Sequence, residues 1–305
     1  MSTSETIRAD LIATVPCQCQ LGEGVLWDAR LGQFLWTDIQ GKALHSYCLK
    51  NGDHRVVRVP HRLASFALTH DPGVLLAAFD QCLGSLDRET GKVLSYRFKE
   101  PILTPGTRFN DGKVGPHGRF WVGTMVEDAE KAGGPDAGIL YRLITNGVLS
   151  PERRGISISN GLAWAPDLIH FYFADSPKQQ IWRFEQSQYI WTIASEAPFA
   201  TISGDGYPDG ATTSTDGRYW SALWGAGEVR VFDPDGTVAG QVTVPARQPS
   251  CCAFGGDDYS ILAVTSAREG LSDTDLAEYT EAGNLFLYQT NAKGFRSFRF
   301  GEKAI

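Results

Sequence analysis

The chain has 305 residues, with 42% apolar and 21% charged side chains and 33 glycines. That is the composition of a globular protein with many turns and enough length to bury a sizeable core. Its formal net charge is −7 and no block of Lys or Arg reverses it, which argues against a nucleic-acid partner or an anionic membrane surface; nor does any segment approach the ~18 apolar residues of a membrane span.

The N-terminal stretch "MSTSETIRADLIATV" has no long apolar run and no cleavage pattern, so no signal peptide is expected. Six cysteines follow at 17, 19, 48, 82, 251 and 252. Without a secretion signal they read as reduced thiols of a cytoplasmic protein, and adjacent Cys251 and Cys252 make a poor disulfide. Cys17-x-Cys19 is a weak metal signal, and packed or surface thiols are its ordinary meaning.

Most of the remaining chain reads as short strands punctuated by Gly, Asp, Pro and Asn. One pattern recurs along it. "EGVLWDARLGQFLWTDI" starts at Glu23, "SFALTHDPGVLLAAFD" at Ser65 and "NDGKVGPHGRFWVGTM" at Asn110. "NGLAWAPDLIHFYFADS" starts at Asn160, "DGATTSTDGRYWSALWG" at Asp209 and "CAFGGDDYSILAVTSA" at Cys252. Each copy has an anchor, a short strand, a turn and an aromatic or apolar strand. The anchors are 42, 45, 50, 49 and 43 residues apart. A repeat near this length, built from strands, predicts an all-β, six-bladed β-propeller as a single domain over 1–305. A β-sandwich also spaces strands regularly, but its strands need not match in residue type. "RADLIATV" is left over and is expected to pair into the last blade and close the ring. "VEDAEKAGGPDAG" (126–138) interrupts the third copy as an acidic, Gly-rich loop, either over a mouth or simply solvated. Helical periodicity is rare; "SDTDLAEYTEAG" (272–283) has room for one short helix, with Ser272 or Asp273 as its N-cap.

Equivalent positions of a propeller share a height around its axis. The anchors Glu23, Ser65, Asn110, Asn160, Asp209 and Cys252 are therefore expected as a ring at one channel mouth, ahead of the inner strands. Taken singly, "NDG", "SNG" and "PDG" are ordinary turn tripeptides. Taken together, they place two carboxylates and two amides around one channel. Carboxylates desolvated together need neutralising, and oxygen donors suit one divalent cation: Ca²⁺, Mg²⁺, Mn²⁺ or Fe²⁺, with Zn²⁺ also compatible. Arg108 lies two residues before Asn110, on the same face of an extended segment, where its fork can bind substrate hydroxyls; a surface ion pair is the plainer alternative. Asp111 faces the other way. No G-x-S-x-G elbow, H-E-x-x-H, P-loop or G-x-G-x-x-G occurs. The six histidines show no metal-ligand spacing, and His117 and His170 fall at blade turns and read as solvated.

At these residues the chain resembles the regucalcin/gluconolactonase family, also called the senescence marker protein and luciferin-regenerating group. The likeness runs through "LGEGVLW", "TRFNDGKV", "GRFWVGTM", "SNGLAW", "YPDG", "SCCAFGG" and "TSAREGLSD". It implies a six-bladed propeller with one divalent cation in the channel and sugar-lactone hydrolysis to an aldonic acid in carbohydrate catabolism. It implies metal ligands at Glu23, Asn160 and Asp209, with Asp209 as general base and Arg108 and Asn110 on the substrate. The acidic pair Glu127 and Asp128 falls where related chains carry acids, which makes both candidate substrate contacts. Two alternatives use the same scaffold: phosphotriester or aryl-ester hydrolysis, and a non-enzymatic propeller that binds calcium or a protein partner.

Overall fold

The computed structural model describes residues 6–97, 103–144, 147–187 and 190–302. Among these described residues, twenty-four strands form six four-stranded antiparallel sheets. In five of them the chain runs straight through the sheet, as in blade 1: Gly22–Asp28, Gln33–Asp38, Ala43–Cys48, His54–Arg58. The first strands of the blades are Gly22–Asp28, Leu63–Leu68, Thr107–Val114, Ser159–Trp164, Tyr207–Thr213 and Pro249–Gly255. They contact one another in sequence, and the last meets the first. They are therefore the inner strands of a closed six-bladed propeller.

Blade 6 takes its fourth strand from the other end of the chain. Ala9–Val15 pairs antiparallel with Leu285–Thr290, joining residues 9 and 290 in one ladder. The leftover "RADLIATV" thus closes the ring and covers an edge that would otherwise be open.

The cores lie between blades rather than on the axis. Tyr219–Trp224 and Phe120–Val126 are second strands, buried on both faces because each is sandwiched between neighbouring blades. Trp121, Leu140 and Ile156 of blade 3 pack on Leu162, Trp164 and Phe171 of blade 4. Comparable clusters fill the other five interfaces. Burying apolar area at about 25 cal/mol per Å² in this way holds the ring together while leaving the axis free for polar groups. Outer strands such as Val93–Tyr96 turn three of four residues to solvent.

The short helix is present as Asp273–Glu278. Ser272 caps it in a reciprocal box with Asp275. The 126–138 loop carries a single turn of helix, Ala129–Ala132, before the strand Gly138–Leu143 resumes the blade. No helix among the described residues is long and apolar enough to cross a membrane.

Candidate functional site

The anchors do not precede the inner strands as the sequence suggested; they lie inside them, at breaks in register. Pairing shifts between Glu23 and Leu26, between Phe109 and Gly112, between Asn160 and Ala163, and between Pro208 and Ala211. A β-bulge re-aims the side chains beside it. The glycines of the supposed turn tripeptides serve these bulges. Gly161, with φ +73, has no room for a Cβ, which would sit 2.6 Å from the Tyr219 hydroxyl. "SNG" is thus a bulge in a strand rather than a turn between strands.

Glu23, Asn110, Asn160 and Asp209 line one cavity of about 420 Å³ at the mouth of the channel, together with Arg108. That size suits a small ligand. The expected six-member ring is only four-membered. Among the described lining residues, Ser65 and Cys252 do not appear. Cys252 packs instead among Trp220, Phe254 and Leu262 between blades 5 and 6. Asp111 faces away, as expected. It accepts from the Leu162 amide at 3.1 Å and lines a separate space of about 100 Å³ further along the same strands, covered by Phe295–Phe298 of the C-terminal stretch.

A hydrogen-bonded relay holds the polar groups. Arg108 Nε donates to Glu127 at 3.0 Å, and its Nη1 donates to Asn110 Oδ1 at 2.8 Å and the Phe109 carbonyl at 2.9 Å. Asn110 Nδ2 donates to the Ser159 carbonyl at 3.0 Å and Asn160 Oδ1 at 3.1 Å. Asn160 Nδ2 donates to Ser176 Oγ at 2.8 Å, which donates to the Pro208 carbonyl at 2.6 Å. The relay spans blades 3, 4 and 5 and spends both amide protons of Asn110. Among the described residues, Arg108 Nη2 bonds no protein acceptor, so it is the donor left for a ligand.

Glu127 and Asp128 part company. Glu127 accepts from Arg62 at 2.7 and 3.0 Å as well as from Arg108. Burial alone would raise its pKa, but the two guanidinium groups hold it below the usual carboxylate range. Asp128 caps the helical turn through the Lys131 amide and pairs with the Lys131 ammonium at 2.7 Å. Neither lines the cavity; Glu127 reaches it through Arg108. Met125 at the root of the loop does line it, whereas no described residue of 126–138 does.

Glu23 and Asp209 carry the electrostatic tension. Burial, then Asp209, then Asp111 push the Glu23 carboxyl well above its ordinary pKa. Burial and then Asp111 do the same to Asp209. Glu23 accepts a hydrogen bond from the Gly24 amide at 3.0 Å. Among the described residues neither carboxylate has an ion-pair partner, because Arg108 is spent on Glu127.

Leu21, Ile158, Ser176, Pro177, Tyr207, Trp224 and Glu269 complete the lining and were not singled out from the sequence. Glu269 accepts from Gln40 at 2.7 Å and acts on the Arg108 charge. Its one sequence signal is its place in "TSAREGLSD". His117 also departs from expectation. It stacks on Trp191 at 3.3 Å, and burial with Arg119 nearby lowers its pKa to about 4. His170 stays at the surface on Asp167, at 2.6 Å.

Six blades and a cavity at one channel mouth that gathers Glu23, Arg108, Asn110, Asn160 and Asp209 define the class. Residues 21–268 match the family described as SMP-30/Gluconolactonase/LRE-like region, and the chain belongs to that family. It is 38% identical over 285 residues to the L-arabinolactonase of Azospirillum brasilense, covering 92% of each chain. It is 33% identical over 276 residues to the 6-deoxy-6-sulfogluconolactonase of Pseudomonas putida, covering 90% of this chain and 92% of that one. The solved structure of regucalcin from Agrobacterium tumefaciens, described as a calcium-binding protein, superposes with a TM-score of 0.87 at 30% identity, over 96% of this chain and 98% of that one.

Proposed function

We propose that this chain hydrolyses a sugar lactone to its aldonic acid in a metal-dependent reaction at the channel mouth. The observation that carries the reading is the convergence of Glu23, Asn160 and Asp209, from three blades, on one cavity that also holds Arg108 and Asn110. Two carboxylates without an ion-pair partner, buried Asp209 and half-buried Glu23, beside the buried amide of Asn160, form a donor set that fits one divalent cation. Ca²⁺, Mg²⁺, Mn²⁺ and Fe²⁺ suit such oxygens, and Zn²⁺ tolerates them. The family relatives named as lactonases support the reaction, and the neighbour described as calcium-binding supports a divalent cation.

Glu23, Asn160 and Asp209 would hold the cation. When bound, it supplies Lewis acidity toward the lactone carbonyl and makes nearby water more acidic. Asp209 takes the proton from the attacking water. A carboxylate held beside the attacking water serves as its general base. The water oxygen adds to the carbonyl carbon, the bond from that carbon to the ring oxygen breaks, and the ring oxygen leaves as a hydroxyl by taking back the proton held on Asp209. Arg108 offers Nη2 to a sugar hydroxyl, and its own orientation is fixed by Glu127 and Asn110. Tyr207 and Trp224 give the sugar's C–H face an apolar wall. No nucleophilic Ser or Cys is needed.

Proton release from D-glucono-1,5-lactone and pentonolactones, with and without EDTA, tests the reading. Hydrolysis above the spontaneous rate that EDTA abolishes and added divalent metal restores is the expected result. Hydrolysis indifferent to EDTA removes the metal from the mechanism. No hydrolysis across the panel overturns the lactonase reading.

A further inference from the structure

A second group of metal-ligating side chains lies outside the channel, at the seam where blade 6 meets blade 1. Cys17 and Cys19 sit on the link between the strand Ala9–Val15 and the inner strand Gly22–Asp28. His45 reaches them from the third strand of blade 1. The sulfurs of Cys17 and Cys19 and one nitrogen of His45 all lie within 4.8 Å of one another. Their chain spacing hides this, because a cysteine pair from the ring-closing link meets a histidine from across a sheet.

From this geometry we propose that Cys17, Cys19 and His45 form a Cys₂His site for a thiolate-seeking divalent cation, of which Zn²⁺ is the occupant.

The dimensions fit. Zn–S and Zn–N bonds of about 2.3 and 2.0 Å at tetrahedral angles place sulfur and nitrogen about 3.6 Å apart and two sulfurs about 3.8 Å apart. Cys19 Sγ is 3.8 Å from His45 Nε2. The histidine is oriented for the role by its other nitrogen: Nδ1 lies 3.0 Å from His54 Nε2. With the proton on Nδ1, donated to His54, the Nε2 lone pair faces the sulfurs, and such outer hydrogen bonds are what fix ligand histidines. Both rings stack against Trp36, at 5.0 and 5.3 Å.

The link itself is firmly placed. Gln18, between the cysteines, adopts φ +49, in the left-handed region. Its amide donates to Asn284 Oδ1 at 3.2 Å, and the Cys19 amide donates to the Gly283 carbonyl at 2.8 Å. A Cβ on Gly283 would fall 2.5 Å from the Cys19 carbonyl oxygen. Strained, over-determined backbone of this kind is where ligands are commonly presented.

The charges favour a cation. Burial and His54 hold His45 neutral, with a pKa of about 4. The Cys19 S–H stabilises a Cys17 thiolate, which in turn opposes a second ionisation at Cys19. A dication removes that opposition. Among the described residues the buried Trp36 indole N–H finds no acceptor within hydrogen-bond geometry, and it acts on Cys19 in the sense that favours a thiolate. Binding releases two thiol protons to solvent and costs Cys17 its 3.2 Å hydrogen bond to the Gly283 carbonyl. Cys17 is half-buried, so the fourth position opens to solvent and takes a water.

The site is independent of the channel reading and is tested independently. Freshly reduced protein is loaded with Co²⁺ and its near-ultraviolet spectrum recorded. The expected result is thiolate-to-cobalt charge transfer that survives in Glu23→Gln and disappears in Cys17→Ser/Cys19→Ser. The all-oxygen channel set gives no such band. Zn²⁺ content measured after gel filtration should fall by one equivalent per chain in the double serine variant. In the wild type, Zn²⁺ should slow alkylation of Cys17 and Cys19, read by mass spectrometry, at least tenfold relative to Cys48 and Cys82, a readout that needs no variant to fold. Absence of both the band and the selective protection overturns the proposal, as does a band that persists in the double variant.

Discussion

At the scale of single residues, the site sets stability against function. In chelator, Glu23→Gln removes a carboxylate whose pKa burial and then Asp209 push up. Its melting temperature should exceed that of the wild type, and the order should reverse when divalent cation is saturating. Differential scanning calorimetry with and without EDTA decides it, and an order that fails to change removes Glu23 from the metal site. Asp209→Asn separates holding metal from moving a proton. With the site filled, its kcat should stay about 10²- to 10⁴-fold below wild type if Asp209 is the base; recovery at saturating cation refutes that role. Arg108→Ala should act mainly on KM, raising it by about 10- to 100-fold, because the guanidinium meets hydroxyls present before and during reaction. A fall in kcat at unchanged KM points instead to charge on the reacting oxygen. That Glu23, Asn110, Asn160 and Asp209 line one cavity was legible because polar types repeat at equivalent positions of the copies, and Arg108 was legible from its place two residues before Asn110. The partners that orient them were not. Glu127 is 65 residues from Arg62, and their ion pair exists only once blades 2 and 3 have docked. Ser176 carries nothing in its own neighbourhood that marks it as a cavity wall.

At the scale of elements, bulges at the channel and a strap at its far end do the positioning. "NDG", "SNG" and "PDG" are indistinguishable from turns as tripeptides, since Gly after Asn or Asp serves both. Only the pairing of the flanking residues shows that the strand continues. The C-terminal stretch had no assigned element, yet Phe298 and Phe300 pack with Phe109, Phe120 and Val122 between blades 2 and 3. Phe300 is 8% exposed, so Phe300→Ala should cost about 3–5 kcal/mol in urea unfolding, and a change under 1 kcal/mol would show that the strap is not anchored there. Glu302 fastens the end of it by accepting from Arg296 and Arg299 at 2.9–3.0 Å. Burial opposes ionisation, but those hydrogen bonds prevail and bring its pKa down to about 2. A lowered carboxyl stabilises the fold above its unfolded pKa near 4.3 and loses that contribution as pH falls toward 2. The melting temperature of wild type should therefore drop more steeply between pH 4.5 and 2 than that of Glu302→Gln. Parallel curves would dismiss the strap's ionic clasp.

At the scale of the whole molecule, six copies of one strand–turn–strand phrase were enough to read the architecture, because a propeller blade is local in sequence. Each blade draws its strands from one contiguous stretch, apart from the sixth. The ring of anchors was read less well: equal spacing fixes which strand a residue occupies, whereas the bulge decides whether its side chain enters the cavity. Cys252 therefore met the spacing and went to a blade interface. The metal-ligating cluster at the seam was invisible for the complementary reason, since the link that carries Cys17 and Cys19 belongs to no copy of the repeat. A chain lacking residues 1–15 should keep its blades and lose closure. Analytical ultracentrifugation should show it associating through the bared Leu285–Thr290 edge, and a stable monomer with the wild-type melting temperature would show that closure is dispensable.

The exchange of strands in blade 6 also sets an order of events on the ribosome. Ala9–Val15 is made before any of the blades' own strands, yet its pairing partner Leu285–Thr290 follows about 270 residues later. At about 5–20 residues per second that is a wait of roughly 15–55 s. Throughout it the strand "ADLIATV" has backbone groups to satisfy and no sheet to join, with Leu11 and Ile12 side chains that stay half-exposed even in the finished ring. Blades 1 to 5 can each collapse as they appear, because their contacts are local. Ring closure then waits for the last blade. Release of truncated chains before and after codon 290 would show whether protection of residues 9–15 arrives only with that blade.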